Sequence, residues 1–305
     1  MKNALLLLLC FFSIKIYGQA PTITSAIKLK SASWSDTVVY LALYKGNQLI
    51  VTDTIKIDSN GKGKIKDNFI VGEYEIVFGD RSQRPLIINE KSIRIKEKEG
   101  TLNYGASKEN TLYDAFLSIQ NKIDNRRKLL TKEIIDNRAK TEAELESLLT
   151  QRLLFTTKLS AQIETTLAGK IIKAICSPND LLYYEQHIDI ALYKKRELFK
   201  YCSLNDPSLF FSEVFHQKIK FYLTKVVDKN PELLINELTW MLETSKSVDY
   251  NYRYMVDYWL GFFQRNKKPV LKRLIPNGPR LCILGEIVSM KDIMIINNPS
   301  NTFRY

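Results

Sequence analysis

The chain has 305 residues, a formal net charge of +12, 45% hydrophobic residues and four cysteines. Its length suffices for one large domain or two ordinary ones with a real core. No Cys-x-x-Cys occurs, so the paired thiols of dithiol exchange are excluded at that spacing, and no segment after the N-terminus is long and apolar enough to span a bilayer.

Met1 and Lys2 form a short positive region, Ala4 to Phe12 an apolar run, and Ser13 to Gly18 a polar exit before Gln19-Ala20. This pattern predicts a secretory signal peptide over 1–18, cut after Gly18. Cys10 raises lipoprotein anchoring as an alternative, but a lipobox wants a small residue where Leu9 stands. The expected mature protein is exported, periplasmic or envelope-associated, and without a transmembrane segment. Loss of Lys2 and Lys15 with the leader takes the charge to +10.

A surplus of this size admits nucleic acid, anionic lipid or acidic glycan as partners. Most Lys residues alternate with Glu and Asp, and the tight clusters are Arg126-Arg127-Lys128, Lys194-Lys195-Arg196 and the spread Lys267-Lys268 with Lys272-Arg273. No nucleic-acid motif accompanies them, so the expectation is a solvated basic face and no nucleic-acid partner.

From Thr22 to Lys98 β-branched residues and turn signals predict six or seven short strands. Thr37 to Tyr44 is apolar with partial alternation, and Lys45-Gly46-Asn47 turns it into Gln48 to Ile57. Asp58-Ser59-Asn60-Gly61 is the strongest hairpin signal, because Asn-Gly populates the positive φ that a tight turn demands. Gly61-Lys62-Gly63-Lys64 belongs to that turn; it lacks the frame of a phosphate-binding loop. Gly72 to Phe78, Pro85 to Ile88 and Ser92 to Ile95 complete an antiparallel sandwich or half-barrel, with Ile76 and Phe78 in its core.

After Gly105 the period becomes helical. Leu112, Phe116, Ile119 and Ile123 form one stripe. Thr141-Glu-Ala-Glu144 has the form of a capping box, and Leu145, Leu149, Leu153, Ile163 and Leu167 continue a second helix until Gly169. These two helices are expected as an antiparallel hairpin. Further helices are expected over 181–201, from Asp206-Pro207, from Asn230-Pro231 and through Tyr252 to Phe263, with Phe215, Tyr222, Leu238 and Trp259 in a second core. The fold class is therefore α+β: an N-terminal β-sandwich or half-barrel over 19–104, then an all-helical domain over 105–275 and a tail over 276–305.

Gly72-Glu-Tyr-Glu-Ile76, the strand at Pro85 and Gly105-Ala-Ser-Lys-Glu-Asn-Thr-Leu-Tyr-Asp114 together resemble a β domain of unknown function that precedes the thioredoxin-like module of certain exported bacterial thiol–disulfide proteins. Asp206 to Arg265 resembles the helical domain of the same proteins. Residues 285–305 resemble their lead-in to the thioredoxin fold, with Gly285 opening a strand at Asp292 to Ile296. The resemblance implies an accessory region whose catalytic Cys pair belongs to a domain beyond Tyr305, so no catalytic residue carries over.

The residues themselves nominate no catalytic, cofactor-binding or metal site. His187 and His216 are the only histidines; Glu213 lies three before His216, but no second such pair completes a metal site. Cys176, Cys202 and Cys282 leave one disulfide with one thiol, or three thiols, equally open. Two functions follow: a non-catalytic binding or scaffolding module for a protein, peptide or envelope ligand, or a component of a periplasmic redox system whose thioredoxin-like unit is missing or on a separate chain; a hydrolase with an unrecognised site is a third and lesser reading. No cofactor is expected for either.

Overall fold

The computed structural model describes residues 20–130, 135–158, 165–177, 198–227, 231–265, 280–283 and 286–289. The expected leader at 1–18, the strand at 292–296, and most of the helix at 181–201 lie outside the described residues. Two compact units result, Met1–Val226 and Val227–Tyr305.

The first unit opens with eight strands: β1 (Thr22–Lys30), β2 (Val38–Lys45), β3 (Gln48–Lys56), β4 (Lys62–Ile70), β5 (Gly72–Val77), β6 (Gln83–Ile88), β7 (Ser92–Lys98) and β8 (Thr101–Asn103). They form two four-stranded sheets, sheet I in the order β4-β1-β7-β8 and sheet II in the order β3-β2-β5-β6. All pairings are antiparallel except β1 with β7. The inner faces meet through Ile27, Leu29, Ile93 and Ile95 from sheet I and Val39, Leu41, Ile55, Tyr74 and Ile76 from sheet II, each no more than 2% exposed. The Phe69 ring stands edge-on to Tyr74 at 6.5 Å across the two sheets. This is the sandwich that the strand pattern implied, with Ile76 and Phe78 in its core.

The Asn60-Gly61 turn is present, but it does not close an ordinary hairpin. It passes the chain from β3 in sheet II to β4 in sheet I, and only Ile57 and Gly63 pair across it. Asp58 Oδ1 accepts the N–H groups of Asn60 at 2.9 Å and Lys62 at 2.8 Å, while Gly61 adopts φ +68°. A Cβ on Gly61 would lie 1.8 Å from the Ser31 carbonyl oxygen. Glycine is needed both for the backbone angle and for that approach.

The change of period falls where the sequence places it, with β8 ending at Asn103 and helix α1 spanning Lys108–Leu130. Helix α2 covers Ile135–Lys158, and the Arg126–Glu144 ion pair at 2.7 Å and the Arg152–Gln120 hydrogen bond at 2.9 Å fix α1 and α2 antiparallel. The supposed capping box at Thr141 to Glu144 is a correction. It lies inside α2, with Thr141 buried and Glu144 paired to Arg126 across the hairpin. Leu167 likewise belongs to a separate helix, α3 (Leu167–Ile175), capped by the Thr166 hydroxyl accepting the Gly169 N–H at 3.0 Å. Gly169 thus begins a helix rather than ending one.

Asp206-Pro207 opens a turn and a short 3-10 segment, Leu209–Phe211, before helix α4 (Glu213–Phe221) and a π turn at Tyr222–Val226. Phe215 and Tyr222 are buried there. In the second unit, α5 (Pro231–Ser245) and α6 (Asp249–Arg265) pack together, with Trp259 buried and Leu238 only half-buried. A hairpin of β9 (Arg280–Ile283) and β10 (Glu286–Ser289), unforeseen from the sequence, follows.

Candidate functional site

The two sheets of the first unit have different outer faces. Sheet II carries helices. Asn110 of α1 works as a surrogate strand on the edge strand β6: its Oδ1 accepts the Ile87 N–H at 2.7 Å and its Nδ2 donates to the Ile87 carbonyl at 2.8 Å. Glu109 accepts the Ala168 N–H of α3 at 2.9 Å, and the Glu90 carboxylate accepts the Ser107 hydroxyl and the Lys108 N–H at the start of α1. The 105–114 segment is therefore the joint between sheet II and the helices.

Gly72 is the second joint. A Cβ there would sit 2.7 Å from Phe211 Cβ, so glycine lets the 3-10 segment close onto β5. The next residue, Glu73, is 3% exposed; it accepts the Tyr113 hydroxyl at 2.6 Å and the Glu213 N–H at 2.9 Å. Two residues on, Glu75 accepts the Tyr44 hydroxyl at 3.3 Å. Burial raises the Glu73 carboxyl to about 7, against the two hydrogen bonds that favour its ionised form. Glu75 is also raised to about 7, by burial first and by the neighbouring Glu73 second. Glu73 thus ties α1 and α4 to the sheet, while Glu75 bonds Tyr44 within it.

Among the described residues no element covers the outer face of sheet I, and one end of that face is cationic. The register aligns Lys64, Lys28 and Arg94 in one row across β4, β1 and β7, and Lys62, Lys30 and Lys96 in the next. All six are exposed. Lys66 extends the β4 column and Lys98 the β7 column. No acidic residue occupies an outward position on these three strands; Asp67 and Glu97 fall on the opposite parity, and Glu97 is bound by the Ser31 and Ser33 hydroxyls. None of the six cations has an ion-pair partner among the described residues. A cleft of about 710 Å³ lies on this face; its lining includes these six, Lys56 and Asp58, besides Leu29, Gly63 and Ile95.

Sequence reasoning missed this surface. The available signal was Lys or Arg at every second residue: Lys28 and Lys30, then Lys62, Lys64 and Lys66, then Arg94, Lys96 and Lys98. Of the clusters singled out instead, Arg126 and Arg127 are engaged by Glu144 and Asp124 within the helical hairpin. The other two lie outside the described residues.

The remaining candidates sit apart. Glu213 is exposed at the start of α4, receives Gln217 Nε2 at 2.8 Å, and His216 is half-buried. Among the described residues no three His, Cys, Asp or Glu side chains gather to hold a metal ion. Cys176 and Cys202 are free thiols, and burial pushes Cys202 up to about 12, with Lys218 opposing the shift. Such a thiol is the reverse of an activated thiolate. Lys218 is itself 5% exposed and lowered to about 8 by burial, with no hydrogen bond to its Nζ among the described residues. Cys282 lies in β9.

No family model, no curated protein and no solved structure matches the chain.

Proposed function

We propose that the chain is an exported, non-catalytic binding module of the cell envelope that captures an anionic ligand on the outer face of sheet I. The observation that carries this reading is the unpaired two-row lattice of Lys64, Lys28, Arg94, Lys62, Lys30 and Lys96. Adjacent strands lie about 4.8 Å apart, so like charges here are neighbours, an arrangement that costs stability and is relieved by a bound anion. Strands rooted in a sandwich also fix the spacing of the backbone positions that carry these charges, whereas a loop cluster would scatter them. The leader pattern supports export, and the resemblance to an accessory domain supports a module without chemistry of its own.

The test is retention of the full-length chain on immobilised heparin under a salt gradient. Lys28→Glu/Lys64→Glu should elute at markedly lower salt than the parent. Lys122→Glu/Lys140→Glu, with the same change in net charge at exposed helical positions, should elute near it. Equal shifts in the two variants would reduce the effect to net charge and sink the reading.

A further inference from the structure

We infer that the cleft on sheet I takes a segment of a linear acidic polysaccharide, a chain whose carboxylate or sulfate groups repeat along a hydroxyl-rich backbone. This rests on the anionic-ligand reading above and narrows it to one class.

Size is the first argument. Same-face residues recur every ~6.6 Å along a strand and every ~4.8 Å across strands, so the two-row, three-column lattice is one step long and two steps wide. One inorganic anion would meet only one corner of it. A cleft of about 710 Å³ has room for several linked sugar rings. The cation type is the second argument. The lattice contains one Arg and otherwise Lys, which supplies flexible point charges and lacks the planar fork that grips a single phosphate in fixed geometry. Repeated single anions suit such a surface better than one tightly caged group.

The third argument is Asp58, the one carboxylate in the cleft. Its Oδ1 is occupied by the Asn60 and Lys62 N–H groups, and its Oδ2 has no hydrogen bond among the described residues. A carboxylate facing a ligand repels a chain of phosphates but accepts a hydroxyl donor. A polyanion that also carries free hydroxyls satisfies both kinds of group.

Other anionic surfaces fit less well. The outward positions of β1, β4 and β7 carry no aromatic ring on which a nucleobase could stack. The two cationic rows themselves hold no apolar side chain to enter a lipid headgroup layer, and the outward Ile70 at the far end of β4 is half-buried.

The experiment is calorimetric titration of the full-length chain with polygalacturonate, inorganic polyphosphate of matched charge and single-stranded oligothymidylate, with cosedimentation on phosphatidylglycerol vesicles as the lipid arm. Polygalacturonate should bind about tenfold more tightly than polyphosphate, the worth of a charge-assisted hydrogen bond. Asp58→Asn keeps the acceptor that holds the turn, and should erase most of that preference. Lys28→Glu/Lys64→Glu should abolish binding to every ligand. Vesicles bound in preference to the glycan, oligothymidylate bound more tightly than it, or an unchanged preference in Asp58→Asn, would overturn the polysaccharide assignment while leaving an anion-binding face intact. Binding to none of the four would overturn both.

Discussion

The two sheets of one sandwich solve the same packing problem on their inner sides and opposite problems on their outer sides. Sheet II is covered by helical segments on the outer side of β5 and β6 while β3 stays largely exposed, and the carboxylates β5 carries outward, Glu73 and Glu75, are driven toward neutrality. Sheet I is buried on one face only among the described residues, and its outward Lys and Arg side chains are exposed to water. Equal backbone architecture thus places acid where solvent is absent and base where solvent is plentiful. The difference comes from what each outer row receives: hydrogen bonds from Tyr113, Tyr44 and the first N–H of α4 on one side, nothing from the described chain on the other.

The most severe way to break this pairing of sheets is at their shared corner. Gly61→Ala combines a positive φ with a Cβ 1.8 Å from the Ser31 carbonyl, which forces β1 and the β3–β4 connection apart. We expect a loss on the order of 3 kcal/mol or more in urea unfolding, and poor recovery of folded protein. A loss below 1 kcal/mol would show the corner to be pliable.

The covered side is sharpened by pH. Glu73 has a folded pKa of about 7 against an ordinary 4.5, so the folded state holds a proton that the unfolded state has released between those values. Its contribution is fully present below about pH 4.5 and is lost as pH rises through 7. Stability should therefore fall by about 2–3 kcal/mol from pH 4.5 to pH 8 on account of this group. Glu73→Gln keeps the acceptor for Tyr113 and α4 without the charge. Its denaturation midpoint should be flatter with pH and higher than the parent's at pH 8. A parallel pH dependence in parent and variant would place the titration elsewhere.

The bare side should respond least in stability. Lys30→Glu swaps a cation flanked by Lys62 and Lys96 for an anion between them. The expected change is a gain of roughly 0.2–1 kcal/mol, from cross-strand pairs that become attractive. A loss of more than 1 kcal/mol would mean that Lys30 has a structural duty.

Much of the β-then-helix order was legible, because Tyr74, Ile76, Leu112 and Phe116 show their period directly. The Gly72-Glu73 pair also stood out, although its purpose needed the structure: a close approach by Phe211 and a carboxylate for α4. The cationic face was hidden by averaging. Counted along the chain, Lys64, Lys66 and Asp67 look mixed; sorted by strand parity, the acid goes to the other side. The turn at Asp58 to Gly61 shows a second limit, since turn chemistry fixes the local bend and not which strand will lie alongside. A third is helix length: Thr141-x-x-Glu144 fits a cap, yet tertiary pairing of Glu144 with Arg126 claims those side chains instead.

The parallel pairing of β1 with β7 carries a consequence for assembly. The first strand is central to sheet I, and its hydrogen-bonded neighbours are β4 and β7, the latter about 66 positions later in register. Closure of so long a loop is slow, and here it also requires three like-charged columns to converge. Burial of Ile27, Leu29, Ile93 and Ile95 must outrun their repulsion at the moment of docking. Sheet I is therefore expected to form last in the sandwich, and its rate of formation should rise with ionic strength, which refolding kinetics at low and high salt would check.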